Sequence, residues 1–423
     1  MAGNVSLNTV TDGLVLYLDA ANTKSLADVP STNLIKNSQQ FENWNKYQST
    51  VSTDTTTAPD GTNTADTNIE TSGLTGWRGV NQSVNDTISG QTYTFSIYAK
   101  NYNGRNIQMT VYDPPLYANF YYTNFNLQLG TTLNSYVNGN AVRTNSSMIS
   151  VGDGWYRCSV SGYIPNATQL QPYVMLLNSG NTVSYTGDGT SGVYLWGAQL
   201  EVGPVATTYI PTTTISASRV PTWVDISKGG NNGTLVNNLT YNYSNGGSLV
   251  FDGVNDYVSV PSLANTSFPQ DAGTISVWYN IDSTGQIATY PPIFDGYDGR
   301  NHIFIRRTSN PLYTIQVVFQ DVSLAYRYNY VYLSTLDIWH NIVVTYVTGI
   351  SSSVKFYIDG ILINSGTISD SAWRPTQQFV GIGSIYATDT AKGKGSILQI
   401  YNRALSSSEV LQNYNAAKGR FGL

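Results

Sequence analysis

The chain has 423 residues, of which 11% are charged, and its formal net charge is −5 with a single cysteine, Cys158. This length allows two or three domains with separate cores. No basic stripe is present, which argues against a nucleic-acid ligand. The sequence contains no run of eighteen consecutive apolar residues, so no membrane-spanning helix is predicted. One cysteine excludes an intrachain disulfide framework, and residues 1–6 lack the features of a cleaved signal, so we expect cytoplasmic synthesis.

The first predicted strand, residues 13–20, opens a domain that continues much later in the chain. Its continuation lies in residues 223–227 and 229–235, followed by a glycine-rich segment and strand at 246–258. Together these pieces resemble the start of a laminin-G/concanavalin-A-like β-sandwich, and the resemblance implies one β-sandwich made of residues 1–29 and 216–423, with a second domain, residues 30–215, inserted into one of its loops. Surface loops are the sites where such insertions are tolerated.

The inserted domain is predicted to be all-β. Tyr93, Phe95 and Ile97 alternate with polar residues, and residues 107–111 repeat this period of two, which is typical of half-buried strands. Further strands are expected at residues 155–160 and 193–201.

Aromatic residues mark a candidate contact surface in this insert. Five are singled out because several lie in or near a proline-containing loop that starts at Asp113: Trp77, Tyr112, Tyr117, Tyr121 and Tyr122. They suit two roles, stacking on sugar rings or packing in the core or against a neighbouring subunit, since aromatic side chains bury large areas in either setting.

The second part of the outer domain predicts strands at residues 274–279, 339–346 and 354–358. The last two form a hairpin, with residues 349–353 between them. Asp359 and Gly360 follow as a turn, because these two residue types adopt backbone conformations that others avoid.

Four alternating tyrosines, Tyr326, Tyr328, Tyr330 and Tyr332, define a second candidate surface. A strand would place all four on one face. The alternatives are a sugar-stacking platform and a subunit contact, and we favour the subunit contact, because tyrosine supplies area and a hydroxyl group at low entropic cost.

An acidic group, Asp252, Asp256, Asp295 and Asp298, offers oxygen ligands that suit Ca²⁺. The same Asp-Gly and Asn-Asp pairs are ordinary turn sequences. We favour turns, and keep Ca²⁺ as the candidate cofactor.

The C-terminus predicts a short helix. Ser406 with Glu409 three residues later is a capping box, and Gly419 is placed to end the helix.

These segments carry a family resemblance. Residues 13–20, 223–235 and 246–258 resemble a laminin-G/concanavalin-A-like β-sandwich of bacteriophage structural proteins. In the insert, residues 33–44, 58–61, 193–201 and 206–212 are similar to carbohydrate-binding-module-like jelly rolls of phage fibres. The end of the chain, residues 418–423, resembles the ends of marine-phage proteins. An aromatic and an acidic residue usual in the family are missing near residues 394–399, which puts a lectin-like calcium site in doubt.

The resemblance implies two antiparallel, jelly-roll β-sandwiches in a virion surface protein, a capsid decoration or a head or tail fibre, with host cell-surface glycan as a ligand. Other virion proteins and copies of the same chain, with a trimer as first candidate, are the expected partners. The alternative is a carbohydrate-active enzyme such as a hydrolase or lyase. We expect no catalysis, because the acidic residues lie mostly in Asp-Gly-type turns and do not form the paired carboxylates of a glycosidase. The sequence also contains neither a nucleophile elbow nor a phosphate loop, and His302 and His340 lack partners at metal-ligand spacing.

Overall fold

The structure is a computed structural model. It describes residues 9–26, 29–85, 87, 89–115, 117–219, 221–237, 239–263, 268–269, 271–284, 291–297, 302–307, 314–320, 326–333, 335–347, 353–366, 379–383 and 392–423. These residues form two compact units. The outer unit is Met1–Pro30 with Val220–Leu423, and the inserted unit is Ser31–Arg219. The insert predicted from the sequence was 30–215.

The strands follow in chain order. The first belongs to the outer unit: β1 (Leu14–Asp19). The inserted unit contains β2 (Ser31–Asn33), β3 (Asn45–Tyr47), β4 (Ser49–Thr56), β5 (Ala65–Glu70), β6 (Thr75–Gly76), β7 (Gly79–Asn81), β8 (Thr92–Tyr102), β9 (Asn106–Tyr112), β10 (Phe120–Asn126), β11 (Thr131–Asn138), β12 (Val142–Gly152), β13 (Trp155–Tyr163), β14 (Gln171–Leu177), β15 (Tyr185–Thr186), β16 (Gly192–Val202) and β17 (Ala217–Arg219).

The outer unit resumes with β18 (Thr222–Trp223), β19 (Gly233–Val236), β20 (Thr240–Asn242), β21 (Ser248–Phe251), β22 (Tyr257–Ser259), β23 (Ala272–Ile281), β24 (Pro292–Tyr297), β25 (His302–Arg307), β26 (Thr314–Gln320), β27 (Tyr326–Tyr332), β28 (Trp339–Val347), β29 (Val354–Ile358), β30 (Ile361–Gly366), β31 (Phe379–Ile382) and β32 (Gly393–Tyr401), and then the helix α1 (Ser407–Ala417). Short 3-10 helices lie at Phe41–Asn43, Ser244–Gly246, Pro261–Leu263 and Lys418–Phe421. The all-β prediction is confirmed. Among the described residues, no helix is long and apolar enough to cross a membrane.

The inserted unit is a sandwich of two antiparallel sheets. Their strand orders are β11-β10-β9-β14-β7-β3 and β12-β13-β8-β16-β5-β4. Alternate residues of the two sheets, among them Ile107, Met109, Phe95 and Ile97, are fully buried in one core. This is the half-buried pattern that the sequence predicted.

The outer unit also has two large sheets. One has the path β20-β21-β32-β23-β28-β29-β30, with β1 paired to β32, and the other has the order β18-β19-β22-β31-β24-β25-β26-β27. Leu16 and Leu18 of β1 are buried in the same core as Ile275 and Val344. The first strand of the chain therefore completes a sheet whose other strands follow the insert.

The predicted turn after β29 is confirmed, because Asp359 and Gly360 have φ values of 52° and 78° between the paired residues Ile358 and Ile361. The strands β28 and β29 pair antiparallel, as expected for the hairpin. Most of the residues predicted to connect them, 349–352, lie outside the described part of the chain.

The C-terminal helix begins as predicted and ends differently. The Ser406 side chain accepts from the Glu409 backbone N–H, and the Glu409 side chain accepts from the Ser406 N–H, which completes the capping box. Gly419 does not end the helix, because the chain continues from Ala417 into the 3-10 helix Lys418–Phe421. The left-handed residue is Gly422, with φ 77°, so the position that needs glycine lies three residues later than predicted.

Candidate functional site

The candidate site is the outer face of the sheet β11-β10-β9-β14-β7-β3 in the inserted unit. Along β9, Ile107, Met109 and Val111 enter the core, so Thr110 and Tyr112 lie on the opposite face. The register then sets one row across all six strands: Tyr136, Tyr122, Thr110, Tyr173, Asn81 and Asn45 are successive neighbours. Five steps between strands give this row a length of about 24 Å.

Eight aromatic rings form a continuous series on this face, which we call the aromatic face. Its members are Tyr47, Trp77, Tyr112, Tyr117, Phe120, Tyr122, Tyr136 and Tyr173. Successive ring centroids are 5.8 Å apart for Tyr136–Tyr122 and 4.8 Å for Phe120–Tyr112. They are 5.1 Å apart for Tyr112–Tyr173 and 5.5 Å for Tyr173–Trp77. The sheet thus carries aromatic surface from one edge to the other.

The rings differ in how much surface they offer. Tyr47, Tyr117 and Tyr136 are 44%, 45% and 51% exposed, whereas Tyr173 is only 8% exposed. Tyr112 and Tyr122 are half-buried. The exposed rings, together with the half-buried Tyr112 and Tyr122, are the contact surface, and Tyr173 supports its neighbours from within the sheet.

Trp77 has a supporting position as well. Its ring is stacked on Tyr47, with centroids 4.0 Å apart and an interplanar angle of 14°. One face of the indole is therefore covered, and the outward aromatic surface at this end belongs to Tyr47. Tyr47 pairs with Gly79, where a Cβ atom would lie 2.0 Å from the Val174 carbonyl oxygen, so the position requires glycine.

Tyr121 was wrongly predicted as a contact residue. It is fully buried in the core of the insert, and its hydroxyl donates to the Tyr93 carbonyl oxygen at 3.3 Å. In the run Phe120-Tyr121-Tyr122 the alternation of β10 places the first and third rings outside and the second inside.

Amide side chains join the rings. Tyr117 donates to Gln171 Oε1 at 2.9 Å, and Gln171 Nε2 donates to Asn81 Oδ1 at 2.7 Å. A second chain runs from Gln108 Nε2 to Asn124 Oδ1 at 2.8 Å, and from Asn124 Nδ2 to Asn134 Oδ1 at 2.9 Å. The inner amides are buried and satisfy one another, as buried polar groups must.

The amides at the two ends, Asn45 and Asn134, are exposed. They leave hydrogen-bonding groups for a ligand at both margins of the aromatic face.

None of the eight rings and six amides that form this surface carries a charge. Burial and the neighbouring tyrosines raise the pKa of Tyr173 to about 12. Burial also raises the pKa of Tyr112 above its usual value. Both hydroxyls therefore stay neutral across the physiological range, and the surface suits an uncharged, polar ligand.

Sequence reasoning found Trp77, Tyr112, Tyr117 and Tyr122, and the structure brings these four together. It missed Tyr47, Phe120, Tyr136 and Tyr173, which come from four different strands. Alternation within β10 and β11 could have indicated Phe120 and Tyr136. No local signal shows that β3 and β11 lie at opposite edges of one sheet, because sheet order depends on long-range pairing.

The second predicted surface is described only by its backbone. The strand prediction is confirmed by β27, which pairs with β26 in the register Tyr330–Gln316 and Tyr328–Val318. The side chains of Tyr326, Tyr328, Tyr330 and Tyr332 lie outside the described part of the structure.

The acidic group contains one clear turn. The Asp252 backbone N–H donates to Asp256 Oδ2 at 3.0 Å, and Asp252 Oδ1 accepts from the Val254 N–H at 2.8 Å. Asp295 is buried in β24, and Asp298 lies outside the described residues. Among the residues that are described, no group of three acidic, histidine or cysteine side chains is arranged to hold a metal ion.

His340 has local partners. Its Nδ1 lies 2.8 Å from Asp359 Oδ2, and its Nε2 lies 3.3 Å from Thr335 Oγ1. The ring is buried and ties the start of β28 to the turn after β29. The His302 side chain lies outside the described part of the chain.

The Trp-Gly-Ala-Gln-Leu-Glu segment of β16 holds the ends of the insert together. Gly197 has φ 60° at a bulge in the pairing with β8. After the bulge Ala198 and Leu200 enter the core, so Gln199 and Glu201 lie on the opposite face of the sheet, where they are also buried. Glu201 accepts hydrogen bonds from Thr207 and Ser31, which belong to the exit and entry of the unit. This motif is therefore structural.

Part of the outer unit matches a known family. Residues 252–411 match the family model described as the concanavalin A-like lectin/glucanases superfamily. Together with its two large antiparallel sheets, this match gives the unit a concanavalin A-like jelly-roll fold. No curated protein has a sequence that matches the chain.

Several solved structures resemble part of the chain. The receptor binding domain of botulinum neurotoxin D is 19% identical over 45% of this chain and 49% of that structure, with a TM-score of 0.39. The type G receptor binding domain is 18% identical over 45% and 48%, with a TM-score of 0.38. Domain 4 of AbnA, an extracellular arabinanase from Geobacillus stearothermophilus, in complex with arabinotriose, is 18% identical over 46% and 91%, with a TM-score of 0.36. The matched part spans about half the length of the neurotoxin domains.

Proposed function

We propose that the protein binds an uncharged glycan chain on the aromatic face of its inserted unit. The observation that carries this proposal is the continuous series of eight rings across the sheet, with exposed amides at both of its edges. The C–H faces of sugar rings are apolar and pack against aromatic rings, while their hydroxyls exchange hydrogen bonds with amides. A row about 24 Å long suits several sugar rings end to end rather than one terminal sugar.

The alternative use of this face is a subunit interface. The side chains of the face that are more than one-third exposed are tyrosines and asparagines. An obligate interface would be more apolar at its centre. Nucleic acid fits less well, because single-strand binding combines stacking with cationic groups along the backbone, and these fourteen side chains include none.

We propose binding without cleavage. A glycosidase places two carboxyl groups on either side of the bond it breaks. Neither the rings nor the amides of this face supply a carboxylate. Turnover of a bound glycan that disappears on replacement of one carboxylate would contradict this part of the proposal.

The setting we propose is the surface of a bacteriophage virion, as a capsid decoration or part of a fibre, with other virion proteins as neighbours. The support is the family resemblance of the two halves of the outer unit and of residues 418–423. We also propose a homo-oligomer, with a trimer as first candidate. Immunolabelling of intact particles tests the location, and sedimentation at micromolar concentration tests the assembly; unlabelled particles or a monomer would contradict the respective proposal.

Removing an outward-facing ring of the aromatic face is expected to weaken glycan binding. Tyr122→Ala and Tyr47→Ala should each raise the Kd about tenfold, the equivalent of about 1.4 kcal/mol, because each deletes one stacking surface. The measurement is titration calorimetry with an oligosaccharide identified on a glycan array using the full chain.

Tyr163→Ala is the matched control. Tyr163 is a half-buried tyrosine in β13, which belongs to the other sheet of the same unit. This variant should bind like the wild type. Equal loss in all three variants would show that the effect is on folding, and no loss in Tyr122→Ala and Tyr47→Ala would overturn the proposed site.

The affinity should hardly depend on pH or salt. The face carries no charge, and the Tyr173 pKa of about 12 keeps that hydroxyl protonated well above neutral pH. We expect less than about a twofold change in Kd between pH 5 and 9, and between low and high salt, since screening acts only on charges. A steep loss of affinity with salt would show that a charged ligand or another surface is involved.

A further inference from the structure

We propose that Tyr117 is a specificity residue whose strained backbone holds its ring as a wall beside Tyr112, so that the aromatic face accepts unbranched glycans and rejects branched ones. This inference rests on the proposed glycan-binding function. The backbone at Tyr117 has φ 52°. A bulky aromatic residue in this region is an outlier, because its Cβ crowds the following carbonyl oxygen.

The chain shows how unusual this residue is. Twelve described non-glycine residues have positive φ, and ten of them are Asn or Asp, which tolerate the conformation. The two exceptions are Tyr117 and Gln48, and Gln48 directly follows Tyr47 of the same aromatic face. Backbone strain that the surroundings enforce tends to occur where a site needs a fixed geometry. Tyr117 carries an exposed ring itself, and Gln48 follows a residue with an exposed ring, Tyr47.

Several hydrogen bonds enforce this conformation. The Tyr117 N–H donates to the Asp113 carbonyl oxygen at 3.0 Å, and the Asp113 carboxylate accepts from the Asn119 N–H at 2.8 Å. The Tyr117 hydroxyl donates to Gln171 Oε1 at 2.9 Å. The hydroxyl is thus engaged by the sheet, and the ring is fixed from both ends.

The ring is nevertheless 45% exposed. Its plane is inclined at 67° to that of Tyr112, with centroids 5.9 Å apart. Tyr112 lies in the middle of the aromatic face, between Phe120 and Tyr173. The two rings form a corner. A sugar lying on Tyr112 would meet Tyr117 at its side, where a branch on that sugar would have to pass.

The test uses two substitutions that suit the backbone. Tyr117→Asn and Tyr117→Gly both fit a positive φ and remove the wall. The probe is an array of uncharged oligosaccharides in which each backbone occurs with and without a single-sugar branch. Kd values for the best backbone, and the melting temperature of the full chain, are then measured for the wild type and both variants.

We expect the wild type to prefer the linear oligosaccharide about tenfold over the branched one, a difference of about 1.4 kcal/mol. Both variants should lose most of this preference. Their melting temperatures should be unchanged or higher by about 2–4 °C, because the strain is relieved. A structural tyrosine would behave differently, since its loss would lower the melting temperature and leave the preference intact.

The outcomes separate the two proposals. If the wild type binds no member of the array, the proposed function fails and the inference falls with it. If the wild type binds and Tyr122→Ala weakens binding, while both Tyr117 variants keep the wild-type preference, the function stands and the inference is overturned. Tyr117→Phe keeps the ring but loses the bond to Gln171 that helps to hold it, so its preference for linear chains should lie between those of the wild type and Tyr117→Gly.

Discussion

Replacement of Arg420 by alanine is expected to destabilise the outer unit by about 3–5 kcal/mol, because it leaves a buried carboxylate without its counter-ion. Arg420 Nη1 lies 2.6 Å from Asp19 Oδ1, and the Asp19 side chain is fully buried. The same guanidinium donates to the carbonyl oxygens of Asn245 at 2.8 Å and Gly247 at 2.9 Å. Arg420 therefore joins the end of the chain to β1 and to the segment before β21.

Phe421, the residue after Arg420, adds an apolar contact between the C-terminal segment and the sheet. The Phe421 ring stacks on Trp278, with centroids 4.3 Å apart, and lies 4.7 Å from Trp339. Loss of Arg420 would release this ring from the outer surface of the sheet that contains β23 and β28. The readout is chemical denaturation of the full chain followed by tryptophan fluorescence.

Lys418→Ala is the matched control, since it removes the same charge from the same 3-10 helix. Lys418 contacts the Tyr414 ring at 5.4 Å, an interaction worth about 0.5–1 kcal/mol. A loss for Arg420→Ala no larger than that for Lys418→Ala would show that the C-terminal segment contributes little to the stability of the unit.

The second large effect is expected at Glu201 of the inserted unit. Glu201→Ala should lower the free energy of unfolding by about 3–5 kcal/mol, because several buried donors lose a charged acceptor at once. The carboxylate is fully buried and accepts from the Thr207 N–H at 2.9 Å and from Gln199 Nε2 at 2.7 Å. It also accepts from the hydroxyls of Thr207 and Ser31.

Glu201→Gln is the informative comparison. Glutamine keeps the shape and one acceptor, and the hydroxyls of Thr207 and Ser31 can rotate to accept from the new amide. We expect it to cost clearly less than Glu201→Ala. Equal losses would mean that the negative charge itself matters most, and a loss below about 1 kcal/mol for the alanine variant would contradict the role given to this motif. Glycan binding by the folded fraction should be unchanged, since Glu201 is not part of the aromatic face.

Sequence and structure contribute differently to the candidate site. Periodicity predicted strands near 93–99 and 107–111, and β8 and β9 confirm them. The run Phe120-Tyr121-Tyr122 shows what periodicity alone does not predict. Its three rings have similar hydrophobicity, so alternation defines two faces without identifying the inner one. Only the second sheet, which covers Tyr121, decides that question.

The sequence does not predict the left-handed backbone conformation of Tyr117 either. Nothing in a Pro-Pro-containing loop specifies a left-handed tyrosine, because local preferences favour Asn, Asp or Gly there. The hydrogen bonds from β14 and from Asp113 supply the energy that the local sequence does not. Tertiary contacts also explain why the left-handed residue after the C-terminal helix is Gly422 and not the predicted Gly419. The packing of Phe421 against Trp278 continues the helical turn past the first available glycine.

By itself, therefore, the sequence determined the class of fold, the positions of several strands and the capping box at Ser406. These features follow from short-range alternation, turn residues and capping, which act within a few positions of the chain. Only the tertiary structure decided which tyrosines form one surface and which is buried. That outcome depends on the order and register of strands that are distant in sequence, and a single-residue change of register exchanges the two faces of a strand.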